Sequence, residues 1–386
     1  MDAEGVPMNR PLDTADVVVV GSGIVGLGAA YAAVRRGLRV IVVDRTDAPV
    51  GATIRNFGHL CIGAQGGQAR HYADVSRELW LRLSRDAGFW LRESGTLVAA
   101  RHDDELAVLD AASREGGIRL LEADELRRLA PLRAEGLVGG AHIESDLQTD
   151  PRTAADAIVR HLAGLGVDFR FRTAVTAVGE GHVETTRGQI TCGSVVVAVN
   201  HDIDQLLPDV AERHGVVRCA LDMMRAAVSF RHPLAAPLLT GWSLVRYGRF
   251  ADGPEAGALR ERLHAERPDL AAIDLNQMYT QLPDGTLIIG DSHSTATAPA
   301  PFQPEAAFTA FLAEAEALFD APAPRVIERW QGVYAKGPQE FLIDRGDDGV
   351  LVLAATTGIG MTTGLGLAEE NLAAAFGWAA AMEGTS

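Results

Sequence analysis

Cysteine is almost absent from this chain of 386 residues, which holds only Cys61, Cys192 and Cys219. The three lie far apart and form neither a C-x-x-C pair nor a metal-ligand spacing. No disulfide framework and no metal site are therefore expected. Positive charge is also short: 35 Lys and Arg stand against 51 Asp and Glu, a formal net charge of −16. So acidic a chain lacks the general footprint of a nucleic-acid or anionic-membrane binder, although a local basic spot can still hold a small anion. No apolar run is long and charge-free enough to span a bilayer. The opening segment MDAEGVPMNRPLDTAD has no apolar signal core. Internal repeats and low-complexity linkers are missing too. These absences predict a soluble, cytoplasmic protein with a loose tail over residues 1–13 and no nucleic-acid or membrane partner; a homo-oligomer stays open.

What is present points to two domains. The hydrophobic share is 47% and the charged share 22%, an ordinary globular balance in a chain too long for one simple core. DVVVV (16–20) reads as a strand buried on both faces of a parallel sheet. GLGAAYAAVRRG follows as a helix closed by Gly37, and LRVIVVDR as a second buried strand ending near Asp44. Helical spacing runs from Tyr72 to Leu91. SGTLVAAR reads as a strand opening a different sheet, and SREGGIRLLEADELRRLAP as a polar helical excursion. Asp150-Pro151 offers an N-cap and a proline at the first helical position. Strands follow through SVVVAVN. Residues 216–295 read as short strands, GWSLVRYGRF among them. PEAAFTAFLAEAEALF is amphipathic, GVLVLAAT is a buried strand, and a glycine-rich turn opens the last helix. Nucleotide-type pieces thus lie at the front, middle and end of the chain. The expected fold is α/β, with a Rossmann-type domain (14–90, 141–215, 330–386) interleaved with a mixed-sheet α+β substrate domain (91–140, 216–329).

Gly21, Gly23 and Gly26 form G-x-G-x-x-G between a strand and a helix that opens near Ile24. The first glycine permits the tight turn, the second lets a pyrophosphate approach the backbone, and the third lets helix and strand pack closely. The helix N-terminus supplies N–H donors, and Asp44 stands where a ribose hydroxyl is held. Arg45 beside it admits a 2′-phosphate. The second N–H-rich turn, TTGIGMTTGLG with Gly358, Gly360, Met361 and Thr362, favours a flavin. A helix N-terminus aimed at the pyrimidine edge stabilises an anionic reduced ring.

The layout resembles the glycine oxidase, sarcosine oxidase and D-amino acid oxidase superfamily of FAD proteins. The likeness runs from DVVVVGSGIVG through VVVAVN and RWQGVYA to GVLVLAATTGIGMTTGLGLAEENL. GATIRNFGH, CALDMMR, IGDSH and ERWQGVYA further resemble a bacterial subfamily associated with phosphonate metabolism. The resemblance implies an amine oxidised at its C–N bond by hydride transfer to FAD, an imine that hydrolyses, and O2 as the acceptor. It also implies a cofactor contact at Val175. Two arginines that grip a substrate carboxylate in glycine-oxidase-like members are replaced here by Tyr334 and Gly358, with Lys336 nearby. Sarcosine-oxidase-like members attach flavin through a late cysteine. None follows Cys219, so FAD is expected to be non-covalent.

In the resemblance, GATIRNFGHLC runs along the flavin ring. Arg55 then offers a cation to an anionic head group, Asn56 a cofactor contact, and His59 a proton acceptor. Against this, Arg55 can pair with FAD phosphate, and His59 can be a buried, satisfied histidine. Arg225 and Tyr247 read either as roof residues over the substrate or as a strand charge and a core tyrosine. His293 ends a predicted strand beside the turn formers Asp291, Ser292 and Ser294. Three rivals remain: a dehydrogenase using a carrier instead of O2, an NADP enzyme, and a non-catalytic flavoprotein component of a larger assembly.

Overall fold

A computed structural model describes residues 13–346 and 349–377. The tail expected over 1–13 lies, except for Asp13, outside the described residues. The first strand is Asp13–Val20, where Val18 and Val19 have no exposed surface, as a two-sided burial requires. The helix Ile24–Val34 follows, then the strand Val40–Val43.

Most strands join one 15-stranded mixed sheet. Five of them are parallel neighbours in the order Val350–Thr357, Gly188–Val197, Asp13–Val20, Val40–Val43 and Asp168–Arg170. This is the nucleotide-type half. The other half is largely antiparallel, and includes Val217–Ala227 between Leu287–Ala296 and the 21-residue strand Arg325–Arg345. That long strand also pairs with Val350–Thr357, so the boundary expected at 330 falls inside an element shared by both halves. A separate three-stranded sheet joins His59–Leu60, Leu147–Thr149 and Leu91–Arg92.

Several local expectations change. The segment SGTLVAAR supplies the strand Thr96–Ala100 of the same large sheet, not of a different one. The helix read from Tyr72 begins at Gly67 and ends at Ala87, where Gly88 adopts a left-handed φ of 72°. The polar excursion divides into a strand, Ile118–Leu121, and a short helix, Ala123–Leu129. GWSLVRYGRF is not a strand but two short helices, Gly241–Leu244 and Gly248–Ala251. The Ser243 hydroxyl in the first donates to the Asn276 side chain at 2.8 Å, a tertiary bond that an apolar run of this length does not announce. The expected Asp150 cap is present, its carboxylate accepting from the Arg152 N–H.

Candidate active site

Two ends of one groove meet at the glycine turn. Gly21 has φ of 102°, and a Cβ there would lie 2.6 Å from the Ala198 carbonyl oxygen. At Gly26 a Cβ would lie 2.0 Å from the Gly21 oxygen, so helix and strand pack at glycine distance. Gly23 has only the Thr53 hydroxyl within 4 Å of its virtual Cβ. The helix it opens has no side-chain cap. Ile24 N–H donates to Thr53 Oγ1 at 2.8 Å.

Asp44 closes the nucleotide end. Its Oδ2 accepts from the Ser22 N–H at 2.8 Å and the Ser22 hydroxyl at 2.6 Å, and its Oδ1 from the Thr46 N–H and hydroxyl. Four donors fix the carboxylate at the wall of a pocket lined also by Gly21, Gly23, Arg45, Val175 and His201. Burial pushes the His201 imidazole below its ordinary pKa, and its buried Nδ1 has no hydrogen-bond partner among the described residues. Arg45 reaches Asp202 at 2.6 Å. That pairing takes away the free cation that a 2′-phosphate would need.

The inner end is lined by Ile24, Arg55, Asn56, Leu221, Gly332, Tyr334, Gly358, Gly360 and Met361. A second uncapped helix N-terminus, that of Gly360–Phe376, opens here. Two helix termini on one groove, a ribose-type carboxylate and an orphaned imidazole nitrogen fit a dinucleotide whose ring carries negative charge when reduced. The residues present therefore suit FAD.

The inner wall continues as one face of the sheet. Side chains alternate along strands, so Gly332, Tyr334 and Lys336 share a face, opposite Leu221, Cys219 and Val217 in register. Leu221 in turn pairs with His293. Tyr334 is buried beside the Cys219 thiol, and burial, helped by Cys219 and Asp291, pushes its hydroxyl far above the ordinary pKa. His293 Nε2 lies 3.3 Å from Asp291 Oδ2, both side chains 6% exposed, and its Nδ1 lies 2.9 Å from the Asp274 carbonyl. Arg246 stands beside them, tied to Asp274 at 2.5 Å.

The family profile described as FAD dependent oxidoreductase (DAO) matches residues 16–374. The chain belongs to this family of FAD-dependent oxidoreductases. It is similar to one component of the opine oxidase of Rhizobium meliloti, 26% identical over 215 residues, which are 50% of this chain and 58% of that one. It is also similar to glycine oxidase of Bacillus licheniformis, 26% identical over 200 residues, 47% of this chain and 53% of that one. The chain thus spans about half the length of the curated relatives it matches. Glycine oxidase from Bacillus cereus ATCC 14579 shares the fold, with a TM-score of 0.75 at 19% identity over 94% of this chain and 95% of that one.

Within this FAD oxidoreductase the expected residues divide. Gly21, Gly23, Ile24, Asp44, Arg45, Asn56, Val175, Gly358, Gly360 and Met361 line the groove, as do Arg55 and Tyr334. Gly26 acts from behind, by packing. Thr362 accepts from the Cys61 N–H at 3.0 Å and pins the flavin-side segment to the last helix. Asn56 is tied within its own loop, donating to the Ala52 and Thr53 carbonyls and accepting from Gly58 N–H. His59 is not brought to the groove. Its side chain is 1% exposed, with Nε2 2.5 Å from Thr96 Oγ1 and 3.2 Å from Asp146 Oδ2. Lys336, the only lysine in the chain, follows Tyr334 along the same face.

The exposed Arg55 guanidinium meets no carboxylate among the described residues, and its hydrogen bond goes from Nη1 to the Gln331 carbonyl at 3.2 Å. Arg225 is instead consumed by Asp284, Thr286 and Glu328. Sequence reasoning missed Arg246, Asp274 and the pairing of Asp291 with His293. IGDSH was the one local signal for the last two.

Proposed function

We propose that this oxidoreductase oxidises the C–N bond of a small amine carrying an anionic group, an aminophosphonate or an amino-acid-like molecule. Bound FAD supplies the hydride acceptor. The substrate is left as an imine that water hydrolyses, and O2 is reduced to H2O2. One observation carries the reading: at the mouth of the flavin-type groove stands Arg55, a cation that meets no carboxylate among the described residues, and farther along the inner face stands Lys336, in the field of Asp274. In a chain of net charge −16 such cations form a local exception that suits an anionic head group. A guanidinium holding the head group orients the amine carbon, so positioning supplies much of the rate. Similarity to an oxidase named for glycine supports the amine class. Tyr334 and Gly358 in place of the arginines that the resemblance led us to expect support a head group held differently from a simple carboxylate.

The test is product analysis in air. Incubation with 2-aminoethylphosphonate, its N-methyl form, glycine, sarcosine and D-alanine should yield aldehyde or keto acid, free amine and peroxide in equal amounts from at least one. Product without peroxide, dependent on an added dye, would move the protein to the dehydrogenases. No product from any amine would overturn the reading.

A further inference from the structure

The groove accounts for a cofactor and an anion, but not for the buried ionisable groups beside it. His293 stands on the groove-side face, one strand beyond Leu221, and Asp291, from the register shift beside it, reaches its ring. Strands lie about 4.8 Å apart, so His293 is roughly 10 Å along that face from Gly332. The Asp274 carbonyl can only accept, so at 2.9 Å it fixes a proton on His293 Nδ1. The lone pair of Nε2 therefore faces Asp291 Oδ2 at 3.3 Å. Between these two atoms there is room for one proton. The Asn276 side chain approaches the Asp291 carboxyl, but Oδ1 is buried and among the described residues no donor reaches it at hydrogen-bond geometry, an arrangement that costs stability unless something else donates to it.

Charged groups face the pair from each neighbouring element. The Gly241–Ala251 region gives Arg246 and the neutral Tyr247. The turn before Met278 gives Asp274 and the neutral Asn276. The long strand gives Tyr334, protonated by burial, and Lys336. Asp222 lies on the opposite face, with Ser292 and Gln331. Arg246 and Lys336 thus stand against Asp274 and, from across the sheet, Asp222, which also feels His293. Burial pushes the Asp291 carboxyl up and the His293 imidazole down, as two groups competing for one proton require.

We propose that Asp291 and His293 together are the proton acceptor for the substrate nitrogen, with His293 held in its tautomer by Asp274; this rests on the amine reading above. A bound ammonium gives up one N–H proton, and the bonding electrons remain on nitrogen as the lone pair that the imine needs. The proton comes to bridge Asp291 Oδ2 and His293 Nε2. The charges −1 and +1 become two neutral species, and no oxidant enters this step.

The experiment uses FAD-loaded protein, wild type and the variants D291N and H293Q. Flavin bleaching is followed without oxygen from pH 6 to pH 10 with the five amines above. The limiting rate should rise with pH through the ionisation of the pair. Each variant should lose that step and fall about 100-fold at pH 7, the usual reach of a positioned base. Nitrogen NMR of labelled histidine in the unliganded wild type should show one ring with Nδ1 always protonated and Nε2 titrating. Unchanged pH profiles in both variants would overturn the proton acceptor while leaving the amine reading intact. Failure of every amine to bleach the wild type would overturn the amine reading, and the acceptor role with it. If the variants lose FAD, the wild-type histidine spectrum decides: an Nε2 that does not titrate contradicts the shared proton.

Discussion

The Tyr334 ring stands directly over Gly358: a Cβ at 358 would lie 3.0 Å from the ring carbon Cζ and 3.1 Å from the hydroxyl. Gly358 also has φ of 80°, a conformation that other residues enter at a cost. The two positions that the resemblance assigns to carboxylate-gripping arginines are thus filled by a matched pair. Gly358→Ala should displace the ring and the adjoining N-terminus of the last helix. We expect FAD affinity to fall at least about tenfold, by fluorescence titration, for a clash and strain of about 1–3 kcal/mol. Tyr334→Ala in the same chain should restore part of that loss.

Asp44 accepts from four donors, and a bound ribose would add a fifth. Asp44→Ala should weaken FAD binding roughly 10–100-fold, the value of hydrogen bonds to a charged group. Acid precipitation of the wild type should release all flavin to the supernatant, as expected of a chain whose three cysteines, Cys61, Cys192 and Cys219, are all buried and none of which lies late in the sequence. Flavin retained in the pellet would contradict non-covalent binding.

Arg45 answers Asp202 at a surface pair, its side chain 61% exposed. Arg45→Ala should change FAD affinity by less than about fivefold, the ceiling for an exposed ion pair. Neither NADH nor NADPH should reduce the wild type or the variant.

His59 and Arg55 should separate by readout. His59 serves Asp146, a carboxylate with no exposed surface. His59→Leu should lower stability in urea by about 1–3 kcal/mol, the cost of removing a buried hydrogen-bond partner, while Asp146 keeps the Gly63 N–H and the Thr96 hydroxyl. A stable His59→Leu protein that no longer reduces its flavin would return His59 to the substrate. Arg55 is exposed, so Arg55→Ala should leave stability unchanged and raise KM for an anionic amine about tenfold or more. Trinitrobenzenesulfonate should modify one side chain, Lys336, and an anionic amine should protect it.

The sequence made the nucleotide half legible because its signals are local. DVVVV, SVVVAVN and GVLVLAAT are continuous apolar runs, and the glycines between strand and helix carry their geometric reason with them. The antiparallel half was harder. Whether Trp242, Leu244 and Val245 form a strand or a helix turns on Ser243 meeting Asn276, a contact 33 residues away in the chain. The pairing of Leu97 with Leu238 is more remote still. At the site, Arg55 and Tyr334 were found through motif order. Arg246 and Asp274 were not, since they meet His293 only once three separated segments fold over one sheet face. Asp291 read as a turn former and His293 as a strand end, because small polar residues around a strand end say nothing of what lies above the strand.

The central claim, a FAD oxidoreductase whose cationic inner end receives an anionic amine, is tested most directly by anaerobic spectral titration of the purified protein. The account predicts a flavin band, and bleaching of that band by at least one of 2-aminoethylphosphonate, its N-methyl form, glycine, sarcosine and D-alanine, at a concentration that rises when Arg55 is removed. A protein with no flavin band after reconstitution with FAD, or a band that every one of these amines leaves intact, would contradict it.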